Sequence, residues 1–174
     1  YNTIDGYRAA ELEFKNSSGE LIAKDEEALK CIIKTNAAGA LALSAEALGI
    51  MQICFDTTLE YLKTRKQFGK SVGSFQAIQH RLVDMMLEIE QVKSSVMLAS
   101  ATFEADEKTR EKHVSAAKNL VGRAGKIIAE ETIQMHGGIA MTWEYSIAHY
   151  AKRLIMIDHL MGGADHHRDR LRML

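Results

Sequence analysis

Apolar residues recur at three- to five-residue spacing along most of the chain, which is the period of a helix with one buried face. Proline, which costs about 3 kcal/mol in a helix interior, is absent, so long uninterrupted helices are permitted. The pattern predicts four long helices and a short final one, over residues 25–65, 75–106, 114–135, 142–162 and 165–174. Helices of this length joined by short connections predict an up-and-down bundle.

The residues before the first helix have a different pattern. Residues 1–15 alternate loosely between apolar and polar types, which predicts one short extended segment, and a turn follows at 16–19. Asp25 is predicted to cap the first helix, because two glutamates follow it where negative charge is favourable. The predicted fold class is therefore all-α: an up-and-down four-helix bundle with a short N-terminal extended segment and a short C-terminal helix.

Composition narrows the class of protein. Of 174 residues, 47% are hydrophobic and 26% are charged, which is typical of one globular domain. A formal net charge of −1 argues against a general nucleic-acid binder. Cys31 and Cys54 lie inside apolar helical patterns and are predicted to be buried, reduced thiols of a cytoplasmic protein. No apolar run is expected to be long enough to span a membrane, and the first residue, Tyr1, suggests a fragment or a processed chain.

The break between the first two helices carries candidate binding chemistry. Arg65, Lys66, Gln67 and Phe68 bring two cations, an amide and an aromatic ring to one corner. A ring beside fixed donors and positive charge suits a ligand that contains an aromatic base and phosphates. A capped turn between two bundle helices uses the same residue types, so local features leave both interpretations open.

Two motifs together give a more specific indication. The first is R-x-Q-F-G followed by F-Q-x-x-Q-H, over residues 65–80, and the second is the segment 134–145, which reads QMHGGIAMTWEY. In order and spacing they resemble the C-terminal helical domain of the acyl-CoA dehydrogenase family. The resemblance covers roughly residues 1–174, because 1–24 are similar to the end of the family's middle β-domain and the following linker, and 25–174 to the helical bundle.

The resemblance implies that FAD is held at a subunit interface of a dimer or tetramer, homomeric or heteromeric. It implies that Arg65 pairs with the flavin pyrophosphate and that Lys66 and Gln67 make polar contacts nearby. Phe68, Phe75 and Gln76 would flank the adenosine, while Gln134, Gly137 and Gly138 would approach the cofactor from a neighbouring subunit. The implied reaction removes two hydrogens from an acyl-CoA thioester: a carboxylate takes the α-proton, and flavin N5 accepts the β-hydride.

The chain departs from the family at the positions of the proton-abstracting acid. Where many members carry that glutamate near the end of the fourth helix, this chain has Met161, and where other members carry it on the first helix, this chain has Gly39. An adjoining substrate-binding arginine of the family is Ala40, and an Arg-Asp pair is Lys152-Arg153. No catalytic residue is therefore predicted in this chain.

Three interpretations of these departures stay open. The chain is a non-catalytic partner that shares a flavin in a heteromeric dehydrogenase, or its base lies elsewhere, at Asp158, Asp165 or Glu46. The third is a helical assembly subunit that binds no flavin. Residues 158–167 include three histidines, but they lack an established metal-binding spacing, so no metal is predicted there. A solvated helix end with histidines that contact backbone carbonyls is expected instead.

Overall fold

The structure, a computed structural model, describes residues 1–174. Five α-helices and one two-stranded antiparallel hairpin follow one another along the chain, and two 3₁₀ turns, Val72–Ser74 and Gly137–Met141, stand before α2 and α4. The elements are α1 (Asp25–Thr64), β1 (Lys66–Gln67), β2 (Lys70–Ser71), α2 (Gln76–Ala101), α3 (Glu107–His136), α4 (Ile147–His159) and α5 (Ala164–Met173). The predicted all-α class is confirmed.

The buried face of α1 follows from the spacing of its small and apolar residues. Apart from the adjacent pair Ile50 and Met51, its successive buried positions lie three or four residues apart, so they form one stripe along the helix. They are Ala37, Ala40, Ser44, Ala47, Ile50, Met51, Cys54, Thr58 and Leu62. The two hydroxyls in this stripe donate to carbonyls one turn back, Ser44 to Ala40 and Thr58 to Cys54, so no buried hydroxyl is left without a partner there.

Helix α3 is the centre of the bundle, since it packs against the other four helices. It is accordingly buried on several faces, and the buried positions include polar ones such as Lys118 and Thr132. Gly122 permits the close approach of α4, because a Cβ at that position would collide with the carboxylate of Asp158. The small residue therefore sets the distance between the two helices.

The boundaries of α2 and α3 differ from the sequence-based prediction. Helix α2 ends at Ala101 instead of near 106, and α3 begins at Glu107 instead of near 114. The Asp106 side chain accepts a hydrogen bond from the Thr109 amide, 3.1 Å, and so caps α3 seven residues earlier than the apolar pattern indicated. The charged residues of this first turn had been interpreted as a connection.

The fourth helix was predicted too long. Gly137–Met141 form a 3₁₀ turn, and α4 begins at Ile147 instead of near Thr142, so the helix has 13 residues. At the other end of the chain, Lys24 is the N-cap of α1, and Asp25 is its first helical residue. Gly137 and Gly138 therefore end α3 and begin the turn that delays the start of α4.

Two further expectations were wrong. Cys54 is buried, and burial raises its thiol pKa to about 12, but Cys31 is exposed. An 18-residue stretch of α1 with a mean hydropathy of 1.6 is long and apolar enough to cross a membrane by composition. The core helix of a soluble protein has the same composition, and in this fold α1 packs against α2, α3 and α4.

Candidate functional site

The C-terminal ends of α1 and α3 are joined by a pair of rings. Tyr61 stacks on His136, with ring centroids 4.5 Å apart, and its hydroxyl donates to the His136 carbonyl at 3.3 Å. Arg65 follows Tyr61 by one helical turn, and Gly137 follows His136 directly. Because of this contact, the two motifs that are some sixty residues apart in sequence lie at the same end of the bundle.

The corner after α1 is an exposed hairpin that presents cations and rings. Lys66–Gln67 pair with Lys70–Ser71, and the hairpin turns at Phe68 and Gly69, which both have positive φ values. Phe68 is 91% exposed at the tip. Its ring meets the edge of the half-buried Phe75 ring at 6.2 Å. An exposed aromatic side chain at a turn is available for stacking on a planar group.

The positive charges of this corner have no carboxylate partner. Arg65, Lys66 and Lys70 make no ion pair, whereas Lys63, one turn earlier, pairs with Glu60 at 2.7 Å. Lys70 lies 4.3 Å above the Phe75 ring. Lys70 was not among the residues predicted to bind the cofactor. Its position directly after Gly69 could have indicated a tight turn that pairs it with Gln67. Unpaired cations beside rings fit a ligand with phosphates and an aromatic base.

The second motif forms an open turn beside this corner. Gly137 has a φ of 68°, which favours glycine, and an added Cβ at Gly137 or Gly138 would meet no atom within 4 Å. Space next to both residues is therefore free. The Gly137 amide is already used, because it donates to the Ile133 carbonyl and ends α3. Ala140, which belongs to the same turn, is buried.

The remaining predicted cofactor residues also lie at the surface of this end. Gln76 is the first residue of α2 and is exposed, and Gln134 is exposed in the last turn of α3. His136 is buried, and burial lowers the pKa of its imidazole, while its Nε2 has no hydrogen-bond partner. The donor set of amides, cations and rings fits a dinucleotide cofactor such as FAD.

Met161 and Gly39, the two positions at which the resemblance led us to expect the family's base, contact each other in this fold. Met161 lies in the turn between α4 and α5, and its side chain packs on Gly39 of α1, where an added Cβ would come within 3.1 Å of the Met161 Cε. Ala40, where the family has an arginine, is buried in the core. A thioether on a glycine offers no group that can take a proton.

The three acids proposed as alternative bases already have partners. Asp158 accepts a hydrogen bond from the Ala164 amide at 2.9 Å, where α5 begins. Glu46 makes two hydrogen bonds with Arg153, at 2.6 and 2.9 Å. Asp165 is exposed and pairs with Arg168 at 2.8 Å. Each carboxylate is used in a cap or an ion pair within the domain.

Two buried polar side chains hold the turn that carries Met161. Lys118 is fully buried, and its ammonium donates to the carbonyls of Ile157, Asp158 and Gly162 at 2.9, 3.3 and 2.9 Å. Burial lowers the pKa of this amine. Because all three of its hydrogen bonds go to carbonyl oxygens, the lysine acts as a cap for the end of α4 and the turn after it, and the nearby Asp158 carboxylate favours its charge.

His167 supports the same turn from α5. Its Nε2 lies 2.9 Å from the Met161 carbonyl, so this nitrogen carries the proton, and Nδ1 then accepts from the Ser115 hydroxyl at 3.2 Å. Burial lowers the His167 pKa to about 4, and nearby cations act in the same direction. The expected contact with a backbone carbonyl is therefore confirmed for His167, whereas its expected exposure to solvent is wrong. His159 and His166 are exposed. No group of three metal-ligating side chains forms there.

Comparisons with known proteins place the chain in a family. The sequence model of the acyl-CoA dehydrogenase C-terminal domain matches residues 29–172. The acyl-CoA dehydrogenase IpdE2 of Mycolicibacterium smegmatis is 35% identical over 135 residues, which are 78% of this chain and 40% of that protein. The chain therefore belongs to the acyl-CoA dehydrogenase family, and it corresponds to the C-terminal helical domain of its members.

Solved structures share the fold. The ChsE4–ChsE5 complex from Mycobacterium tuberculosis matches with a TM-score of 0.76 and 25% identity, over 79% of this chain and 37% of that one. PigA with FAD and proline matches with a TM-score of 0.73 and 28% identity, over 79% and 36%. This chain thus spans about two fifths of the length of these relatives.

Proposed function

We propose that this chain supplies part of an FAD site to an acyl-CoA dehydrogenase-like protein, at an interface between subunits. The observation that carries the proposal is the Tyr61–His136 contact, because it places both cofactor motifs at one exposed end of the bundle. The similarity to PigA, which was solved with FAD, supports the same cofactor. A dehydrogenase acting on an acyl-CoA thioester in the cytoplasm is the corresponding proposal for the complete protein.

Each part of the corner then has a role in holding the cofactor. The Arg65 guanidinium pairs with the pyrophosphate, and Lys66 and Gln67 add polar contacts. Phe68 and Phe75, together with Gln76, flank the adenosine. Gln134, Gly137 and Gly138 approach the cofactor from a neighbouring subunit, and the free space beside the two glycines leaves room for it. When bound, FAD supplies the hydride acceptor, and these residues bind it, orient it and exclude water.

We propose in addition that the chain does not supply the proton-abstracting base. The Met161 side chain fills the space next to Gly39, and Asp158, Glu46 and Asp165 are each engaged elsewhere. A flavin shared between unlike subunits requires a base from only one of them. The ChsE4–ChsE5 structure, a complex of two different chains, supports a heteromeric partner of this kind.

A second candidate is a helical assembly subunit that binds no flavin. The exposed apolar side chains of α2 favour it, since Val83, Leu87, Met97 and Leu98 are each about half exposed, with 48, 53, 63 and 50% of their surface accessible. Contiguous exposed apolar surface marks contact with other proteins. Both candidates predict an oligomer, so only the presence of flavin separates them.

The deciding experiment measures flavin retention in the assembled protein, with the chain co-expressed in its full-length context. We expect a flavin absorbance spectrum, and Arg65→Ala should weaken FAD retention about tenfold or more, because a charge-assisted contact to the pyrophosphate is lost. The matched control is Lys63→Ala, which removes a nearby cation that is already paired with Glu60.

Equal flavin content in the Arg65→Ala and Lys63→Ala proteins would contradict the role of Arg65. A colourless assembly that takes up no added FAD would favour the assembly subunit. Turnover of an acyl-CoA by this chain without another subunit would contradict the absence of a base.

A further inference from the structure

The residues before the bundle form a closed loop. Within residues 1–9, which we name the strap, the amides of Thr3, Gly6 and Ala9 donate to the carbonyls of Tyr7, Thr3 and Tyr1 at 2.9, 3.0 and 2.9 Å. An antiparallel bridge between Asn2 and Arg8 closes the loop. The strap is thus a defined structure, although it contains no helix and no regular strand.

One arginine joins the strap to two helices. Arg153 of α4 donates from Nη1 to the Asp5 carboxylate at 2.8 Å, and from Nε and Nη2 to the Glu46 carboxylate of α1 at 2.6 and 2.9 Å. Tyr7 covers the guanidinium, with its ring 4.3 Å away. The Asp5 side chain is 1% exposed and that of Arg153 is 13% exposed, so the pair is shielded from water. Shielded charge-assisted contacts are stronger than surface ion pairs.

The same part of the strap forms a wall of a cleft. The residue before Asp5, Ile4, and the residue before Arg153, Lys152, both line a cleft of about 630 Å³ between α3, α4 and the turn that precedes α4. Trp143 lies across this cleft and has the Lys152 ammonium 4.2 Å above its ring. The two members of the ion pair, Asp5 and Arg153, are thus the direct sequence neighbours of two residues that line the cleft.

We propose that Arg153 is a positioning residue, which holds the strap in place as the side wall of the Trp143 cleft. Arg153 makes two contacts: its contact with Asp5 attaches the strap, and its contact with Glu46 joins α4 to α1 within the bundle. When the Asp5 contact is broken, the strap detaches, Ile4 leaves the cleft and the cleft widens. The helices keep their packing, because the Arg153–Glu46 pair joins α4 to α1 without the strap.

Limited trypsin digestion tests this proposal. The side chains of Arg8, Lys15 and Lys24 are all exposed, but only the Arg8 backbone is held in the strap, by the bridge to Asn2. Lys15 and Lys24 lie outside the strap and serve as internal controls. Cleavage at Arg8 requires the strap to open, so its rate follows the open population when opening is fast. Asp5→Asn should raise the rate at Arg8 about tenfold, because one charged hydrogen-bond partner is lost, and should leave the rates at Lys15 and Lys24 unchanged.

Three further variants sharpen the assignment. Glu46→Gln keeps the Asp5–Arg153 contact and should leave the Arg8 rate within about twofold of the original. Arg153→Met should match Asp5→Asn, and Arg153→Lys should restore part of the protection, because a lysine can still reach one carboxylate. If Arg153→Met unfolds the bundle, the Asp5→Asn result alone tests the proposal, because that variant leaves the Arg153–Glu46 pair between α4 and α1 in place.

Trp143, the only tryptophan of the chain, gives a second measurement. Trp143 is 71% exposed and lines the same cleft as Ile4, so its emission intensity should change in Asp5→Asn, when the wall next to it moves, and should stay the same in Glu46→Gln. Unchanged cleavage at Arg8 in Asp5→Asn, or faster cleavage at all three sites together, would overturn the proposal. The second result would mean that Asp5 supports the whole domain and not the strap.

Discussion

The corner at Arg65 and the turn at Met161 are built in opposite ways. At the corner, Arg65, Lys66 and Lys70 have no carboxylate partner and Phe68 is 91% exposed. At the turn, buried Lys118 and His167 donate to the backbone carbonyls around Met161. The two regions are far apart, because Gly39 and Arg65 lie towards opposite ends of α1, roughly 39 Å from each other at a rise of 1.5 Å per residue.

The difference between the two regions indicates that the corner contributes to ligand binding and the turn to the stability of the fold. Unpaired cations and exposed rings contribute little to the free energy of unfolding, and they remain free to meet a ligand. Buried donors that are matched to carbonyls hold the backbone, and removing one leaves polar groups without partners inside the protein. The comparison therefore predicts that variants at the turn change stability, while those at the corner mainly change cofactor retention.

The largest effect on stability is expected for Lys118→Met. Three carbonyls lose their only side-chain donor, so the free energy of unfolding should fall by about 3 kcal/mol, and the melting temperature by roughly 6–12 °C. Thermal unfolding followed by circular dichroism measures the change. The matched control on the same helix is Lys126→Met, since Lys126 is exposed and pairs only weakly with Glu130 at 3.9 Å. Equal melting temperatures for the two variants would contradict the cap assigned to Lys118.

A similar effect is expected from pH, through His167. Its pKa is about 4 in the folded chain and 6.5 as a free side chain, so the folded state resists the proton that the unfolded state accepts. Stability should be complete above pH 6.5 and should fall as the pH drops from 6.5 towards 4, by up to about 3 kcal/mol at 1.36 kcal/mol per unit. Buried His136 acts in the same direction.

Urea unfolding at pH 7, 6, 5 and 4.5 measures this slope. His167→Gln removes the titrating group and should flatten the slope, although its stability at pH 7 should be lower because the packing around Ser115 changes. His159→Gln, at an exposed position, should keep the original slope. An unchanged slope in His167→Gln would mean that the acid sensitivity comes from another group.

The smallest effect is expected at the corner end, for Gly137→Ala. The φ of 68° is strained for alanine, so the free energy of unfolding should fall by about 1 to 2 kcal/mol, with no steric contribution since the space beside it is open. Gly138→Ala is the control, because its φ is not in the positive region and an added Cβ meets no atom within 4 Å. Chemical denaturation compares the two, and equal losses would show that φ at Gly137 does not set the cost.

Much of the candidate site could be predicted from the sequence, because it consists of short motifs. Residues 65–68, 75–76 and 134–138 carry cations, rings and glycines in a fixed order, and that order indicated both the family and the residues expected to hold FAD. Lys70 was missed, because its approach to Phe75 depends on the hairpin turn at Phe68 and Gly69. That turn requires positive φ values at Phe68 and Gly69, and the order of residues in a motif does not reveal backbone angles.

The sequence by itself determined the all-α class, the buried stripe of α1 and the two motifs, since these depend on neighbours three or four residues apart. Tertiary structure alone decided that Lys118 meets Gly162, that Met161 covers Gly39, and that Arg153 joins Asp5 to Glu46. Those partners are 44 to 148 residues apart in the chain, so only the packing of whole helices brings them together. Helical periodicity predicts which side of a helix is buried, whereas the packing of the bundle determines which residues each buried group contacts.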